Sequence, residues 1–149
     1  MKVKNTQWIS LLLLACFLTS CAVSNPKFFA DITKSEDDSY GYSAENPITI
    51  KNGDLEKSIN SSYYFISRLL TAKGNKLQIV ARASVKNPNY NTKASKLTYA
   101  GQPISYGDGP LLDRYIMVPE NESDTFKIYI NPYMKGEIKI PKGLVFKNE

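Results

Sequence analysis

Five carboxylates, Asp108, Asp113, Glu120, Glu122 and Glu137, are the side chains in this sequence with the most obvious chemistry. Two carboxyls a few ångströms apart across a cleft support glycoside hydrolysis, one as acid and one as nucleophile or base. Acids scattered over turns of a small body more often serve solubility. Asp113, near a strand start, can instead pair with Arg82 or Arg114, and Asp108-Gly109 can fix a turn. Serine with lysine is the other nucleophile–base pairing that the composition allows, but no motif sets a serine on a strand-to-helix elbow. The chain has no histidine, so a Ser-His-Asp triad, a Cys-His pair and a His-ligated zinc site are excluded. No cofactor and no metal is expected. Ten tyrosines supply contact rather than catalysis, since the side chain is rigid and amphipathic. Tyr129 lies out of phase with Phe126, Ile128 and Ile130, which puts it on an outer sheet face. Tyr115 is expected to join it there, and Tyr133 completes a candidate interface. Ordinary cross-strand packing would use the same residues.

The segments that must position these groups begin with the first 21 residues, which hold both cysteines, Cys16 and Cys21. Lys2 and Lys4 form a positive start. Ile9 to Leu18 is an apolar run interrupted only by Ser10, too short to span a bilayer, which needs about 20 residues. Leu18-Thr19-Ser20-Cys21 follows. This arrangement resembles the lipobox of a bacterial lipoprotein. The resemblance implies removal of residues 1–20 and acylation of Cys21, the expected membrane anchor. Each buried methylene contributes about 0.8 kcal/mol, so several acyl chains hold durably where one does not. Ala22, in place of an aspartate, leans towards the outer membrane, facing the periplasm, rather than the inner. Cys16 leaves with the leader, so the mature chain keeps no free thiol and no disulfide. Loss of Lys2 and Lys4 lowers the net charge from +5 to +3.

Residues 21–39 read as a flexible tether, polar and without periodicity around Lys34-Ser35-Glu36-Asp37-Asp38-Ser39. Phe28 and Phe29 are the exceptions, suited either to packing on the body or to the bilayer interface. Charge divides along the chain. Acids dominate residues 22–47, and residues 48–149 carry a net +6. A basic body favours anionic envelope surfaces, although no run of adjacent basic residues occurs. Nucleic acid is an implausible partner in this compartment.

The body, residues 40–149, is expected to be one α+β domain. Ile48-Thr49-Ile50 reads as a short strand after Asn46-Pro47. Asp54 is an N-cap, and Leu55, Ile59, Tyr63, Ile66 and Leu70 recur at helical spacing, which predicts an amphipathic helix over 54–72 with Gly74 after it. Alternation of Leu77, Ile79, Ala81, Ala83 and Val85 predicts a half-buried strand. Further strands are expected at 96–100, 104–106, 112–118 and 126–130, with 137–140 pairing back on the last. The helix then packs on one face of an antiparallel meander of four to six strands.

Tyr40-Gly41-Tyr42-Ser43, Asn46-Pro47-Ile48, Leu111-Leu112-Asp113 with Tyr115, Tyr129-Ile130-Asn131 with Tyr133, Gly136-Glu137 and Pro141-Lys142-Gly143-Leu144 resemble landmarks of a family of small bacterial secreted or lipid-anchored proteins without an established function. Some members bear the name of an aldolase that makes a phosphorylated eight-carbon sugar acid. That enzyme is a (β/α)₈ barrel, typically about 250 residues. One helix, no βα alternation and no glycine-rich phosphate loop do not support the name here. The paired cysteines common in the family after the first long strand are replaced by Asn87-Pro88-Asn89. The expectation is a lipid-anchored, non-enzymatic domain that binds an envelope protein, of inhibitor or immunity type. A binder or carrier of a small amphiphile or anionic glycan is the alternative, and a carboxylate-based hydrolase the third reading.

Overall fold

The computed structural model describes residues 26–90, 98–99, 102–103 and 109–147. Cys21, Asp108 and the strand expected at 104–106 lie outside the described residues.

Helix α1 spans Leu55–Ser67. Its cap is as the sequence implies. Asp54 is extended, and its carboxylate accepts from the Lys57 backbone N–H at 2.8 Å, satisfying one of the orphan donors of the first turn. The helix ends earlier than the expected residue 72. Arg68 caps it, and Leu69–Thr71 leaves as strand β3, antiparallel to β10 (Leu144–Phe146) with Leu69 opposite Phe146. Burial of Leu69 between α1 and this ribbon outweighs continued helical bonding. Gly74, at φ +85°, serves the turn after β3 rather than the helix end.

The buried face of α1 also differs from the periodic apolar stripe. Ser58, Ser61, Ser62, Phe65 and Ile66 face inward, while Leu55 and Tyr63 are exposed. Serines can sit there because each hydroxyl is bonded. Ser58 Oγ donates to the Asp54 carbonyl at 2.7 Å, and Ser62 Oγ to the Ser58 carbonyl at 2.8 Å. The Asn52 side chain donates to Ser61 Oγ at 2.9 Å.

Four strands form the sheet under the helix: β2 (Ile48–Thr49), β4 (Leu77–Lys86), β7 (Leu111–Pro119) and β8 (Phe126–Asn131), in the order β2-β8-β7-β4. The sheet is mixed rather than a pure antiparallel meander, because β2 runs parallel to β8. Tyr115 and Met117 of β7 and Ile128 and Ile130 of β8 meet Ile48, Ile50, Phe65, Ile66 and Leu69 in one core. The architecture is therefore a single α+β domain. A separate hairpin, β5 (Thr98–Tyr99) with β6 (Gln102–Pro103), stands near the expected strand at 96–100.

Strand β4 departs from simple alternation. Ile79 is opposite Met117 and Ala81 opposite Ile116, so Val80 forms a bulge. The extra residue reverses the phase. Leu77 and Ile79 share the helix-side face with Met117, but beyond the bulge that face passes to Arg82 and Ser84, opposite Tyr115 and Asp113.

Residues 26–39 belong to the folded body rather than to a tether. Pro26–Phe29 forms one turn of 3₁₀ helix, and Phe29 is 2% exposed. Its ring packs on Tyr64, Phe65 and Phe146 at centroid distances of 5.5, 5.6 and 5.9 Å. Strand β1 (Thr33–Lys34) then pairs parallel with β9 (Lys139–Ile140). That pairing replaces the expected return of 137–140 onto β8. Tyr40-Gly41-Tyr42 ties down the same region. The Tyr40 hydroxyl accepts from the Lys139 N–H at 3.0 Å, and the Tyr42 hydroxyl donates to the Lys142 carbonyl at 2.7 Å. Gly41, at φ +78°, takes the Tyr129 N–H on its carbonyl at 2.8 Å. A methyl group there would lie 3.0 Å from both Ile48 and Pro141.

Candidate functional site

Asp113 and Glu120 do not converge. Asp113 is buried on β7, and Glu120 follows the end of that strand. From Asp113 to Pro119 the strand makes six steps, about 20 Å, well beyond the spacing of about 5–9.5 Å that glycoside hydrolysis requires. Glu122 is exposed in the turn after β7, and Glu137 is exposed and paired with Lys139 at 3.0 Å. Among the described residues no three acidic, cysteine or histidine side chains gather to hold a metal. No helix among them is long and apolar enough to cross a membrane.

The three candidate interface tyrosines occupy different places. Tyr129 is half-buried, opposite Arg114 on the sheet face away from α1. Tyr115 does not join it. It lies opposite Ile128 on the helix side and is fully buried. The reason is register: Tyr115 and Tyr129 are diagonal neighbours on adjacent strands and point to opposite faces. Tyr133 is half-buried beyond the end of β8, its ring against Gly109, where a methyl group would lie 2.2 Å from Cδ2.

What the fold does bring together is a patch at the outer margin of β4. Arg82 Nη2 donates to both carboxylate oxygens of Asp113, each at 2.9 Å. The guanidinium also stands 5.5 Å from the centroid of the Tyr63 ring and 5.8 Å from that of Tyr115. The two rings meet edge to face at 5.9 Å. The carboxylate raises the Arg82 pKa, so the cation is held in its charged form. Burial, followed by the neighbouring Asp113 charge, pushes the Tyr115 phenol far up, with Arg82 opposing that rise, and among the described residues its hydroxyl has no partner at hydrogen-bond geometry. Beside this cluster the surface is apolar and open. Val80 is 60% exposed, Ile79 43% and Tyr63 40%. Strand β4 has β7 on one side and, among the described residues, no strand on the other. The Arg82–Asp113 pairing was one option in the sequence. The exposed edge was not, because it follows from the strand order β2-β8-β7-β4, which is set by pairing between distant segments.

Clefts open on the surface formed by the described residues. One of 410 Å³ lies between the end of α1 and the start of β4, where Ile66, Leu70, Leu77 and Ile79 meet Arg68, Lys76 and Lys147. One of 270 Å³ is lined by Lys27, Phe28, Asp31, Ile32, Lys51 and Lys135, among others. A third, of 180 Å³, lies beside the α1 N-terminus, against Tyr133. No family model, curated protein or solved structure matches this chain. The likeness to small secreted or lipid-anchored proteins rests on the residues quoted for it.

Proposed function

We propose that this chain is a bacterial envelope lipoprotein, held by lipid on Cys21, whose body binds a partner protein without catalysing a reaction. The observation that carries the binding role is the margin of β4. A ten-residue strand with one side unpaired among the described residues presents a row of backbone donors and acceptors. An extended segment of a partner can add to such an edge, with neighbouring side chains giving selectivity. Tyr63 and Arg82 are of the residue types that dominate interface energetics, and Ile79 and Val80 supply apolar area. Arg82 is oriented before any partner arrives, by Asp113 and by two aromatic rings. Arg82 and Lys86 make the strand cationic, with no acid on it, which favours an acidic partner strand. An inhibitor or immunity-type protein acts in this stoichiometric way.

A photo-reactive residue in place of the exposed Gln78, in the native envelope, tests the proposal. One reproducible adduct is expected, reduced at least tenfold by Val80→Glu. Val80 is at an exposed bulge, so the substitution should leave stability within about 0.5 kcal/mol. Absence of any reproducible adduct from position 78 rejects a protein partner at β4.

The cleft of 410 Å³ favours a second reading, binding or carriage of an anionic amphiphile, because apolar and cationic side chains line it together. A lipid adduct from a photo-reactive residue in place of Lys76, which lines that cleft, selects that reading.

A further inference from the structure

The cleft of 270 Å³ contains three lysines from three separate parts of the chain. Lys27 comes from the 3₁₀ turn, Lys51 follows β2, and Lys135 lies between β8 and β9. Phe28, Ile32 and Ile138 give it an apolar side, and Asp31 is its only acid. All three lysines are exposed, and none has an ion-pair partner among the described residues. Two acids of the same segment, Asp37 and Asp38, are engaged elsewhere, and Glu36 is exposed. Asp37 accepts from Ser39 and Asn46, and Asp38 pairs with Lys142 at 2.7 Å. A net positive cleft with an apolar margin suits a phosphate group attached to something hydrophobic.

Covalent reach then places this cleft. Five residues lie between Cys21 and Lys27, and the six Cα-to-Cα steps extend at most about 20 Å. A lipid on Cys21 therefore keeps Lys27 close to the head groups. We propose that the Lys27–Lys51–Lys135 cleft binds the phosphate of an anionic phospholipid head group, seating the domain on the membrane from which it emerges. The location rests on the anchor reading, but the binding chemistry does not. Juxtamembrane cations attract anionic head groups and lose that attraction as salt screens them.

The test is lysine acetylation footprinting of the full chain, purified from membranes in non-ionic detergent. Mixed micelles of phosphatidylcholine alone are compared with micelles containing phosphatidylglycerol, and with inorganic phosphate at equal phosphate concentration. Phosphatidylglycerol is expected to slow acetylation of Lys27, Lys51 and Lys135 at least threefold relative to Lys127, and phosphatidylcholine not to. In the Lys51→Gln/Lys135→Gln variant, the protection of Lys27 should disappear while the thermal unfolding midpoint stays unchanged. Equal protection by inorganic phosphate overturns the lipid assignment in favour of a soluble anion. Protection by neither, or protection of Lys27 that survives in the variant, overturns the site. The mass of the peptide carrying Cys21, read in the same digest, reports the anchor separately, so the two failures are distinguishable.

Discussion

Among the described residues the buried Tyr115 hydroxyl has no hydrogen-bond partner, and a buried hydroxyl left so costs about 1–3 kcal/mol relative to a bonded one. Tyr115→Phe removes that oxygen while keeping the ring under Arg82 and Tyr63. The variant is expected to be more stable at neutral pH by about 1 kcal/mol, measured by urea unfolding. The pH dependence has a definite sign. Tyrosine in the unfolded chain titrates near pH 10, whereas burial and Asp113 raise the folded value. The contribution of the protonated phenol is thus complete below about pH 10. It is lost as pH rises above that value, because the unfolded chain ionises first. Tyr115→Phe should flatten this alkaline loss without abolishing it, since burial also raises Tyr40 and Tyr42. An unchanged alkaline slope would show that Tyr115 ionises normally. At this scale much was legible. Asp113 with Arg82 was one of two pairings readable from charge, Arg114 being the other, and the absence of histidine was readable from composition. The side of the sheet on which Tyr115 sits was not, because strand phase is shared with a neighbour whose register the sequence does not print.

Helix α1 and strand β4 show where reading by periodicity stops. The pattern of Leu55, Ile59, Tyr63 and Ile66 marks a helix correctly, and Asp54 marks its start. Yet periodicity counts only apolar residues, and the face nearest the sheet carries Ser58 and Ser62, both fully buried. Their size sets how closely the helix approaches. Ser62→Leu, which a periodic reading would regard as extending the apolar stripe, should therefore destabilise the fold. Overpacking and loss of the bond to the Ser58 carbonyl together predict a cost of about 1–3 kcal/mol by thermal or denaturant unfolding. A stabilised variant would mean that the helix face is rotated from its described position. In β4, Leu77 to Val85 alternates in the sequence except at Val80, which is apolar where the pattern calls for a polar residue. The bulge at Val80 arises from pairing with β7, and it alone turns Arg82 inward to Asp113 and leaves Val80 outward.

Across the whole molecule, the segment that begins at Pro26 is part of the core. Phe29 is fully enclosed by Tyr64, Phe65 and Phe146, from the helix and from the last strand. Phe29→Ala should cost about 3–5 kcal/mol of unfolding free energy. A free tether would give no effect, so the measurement separates the two architectures. With so few residues between Cys21 and Phe29, the domain cannot roam far from the membrane if the lipid is present. Cys21→Ser tests that premise by loss of bound lipid. A variant that still carries lipid would place the anchor elsewhere.

Composition and neighbouring residues determined the excluded chemistries, the cap at Asp54, the alternation of β8 and the lipobox-like run ending at Cys21. Each depends on side chains adjacent in the chain or on their absence, so no distant partner is needed to read it. Tertiary structure alone decided which face of α1 is buried, where β4 reverses phase, and that Phe29 belongs to the core. It also decided that Tyr40 and Tyr42 bond to residues about a hundred positions away. Burial and register are properties of contacts between remote segments, and local pattern constrains them only after those contacts exist.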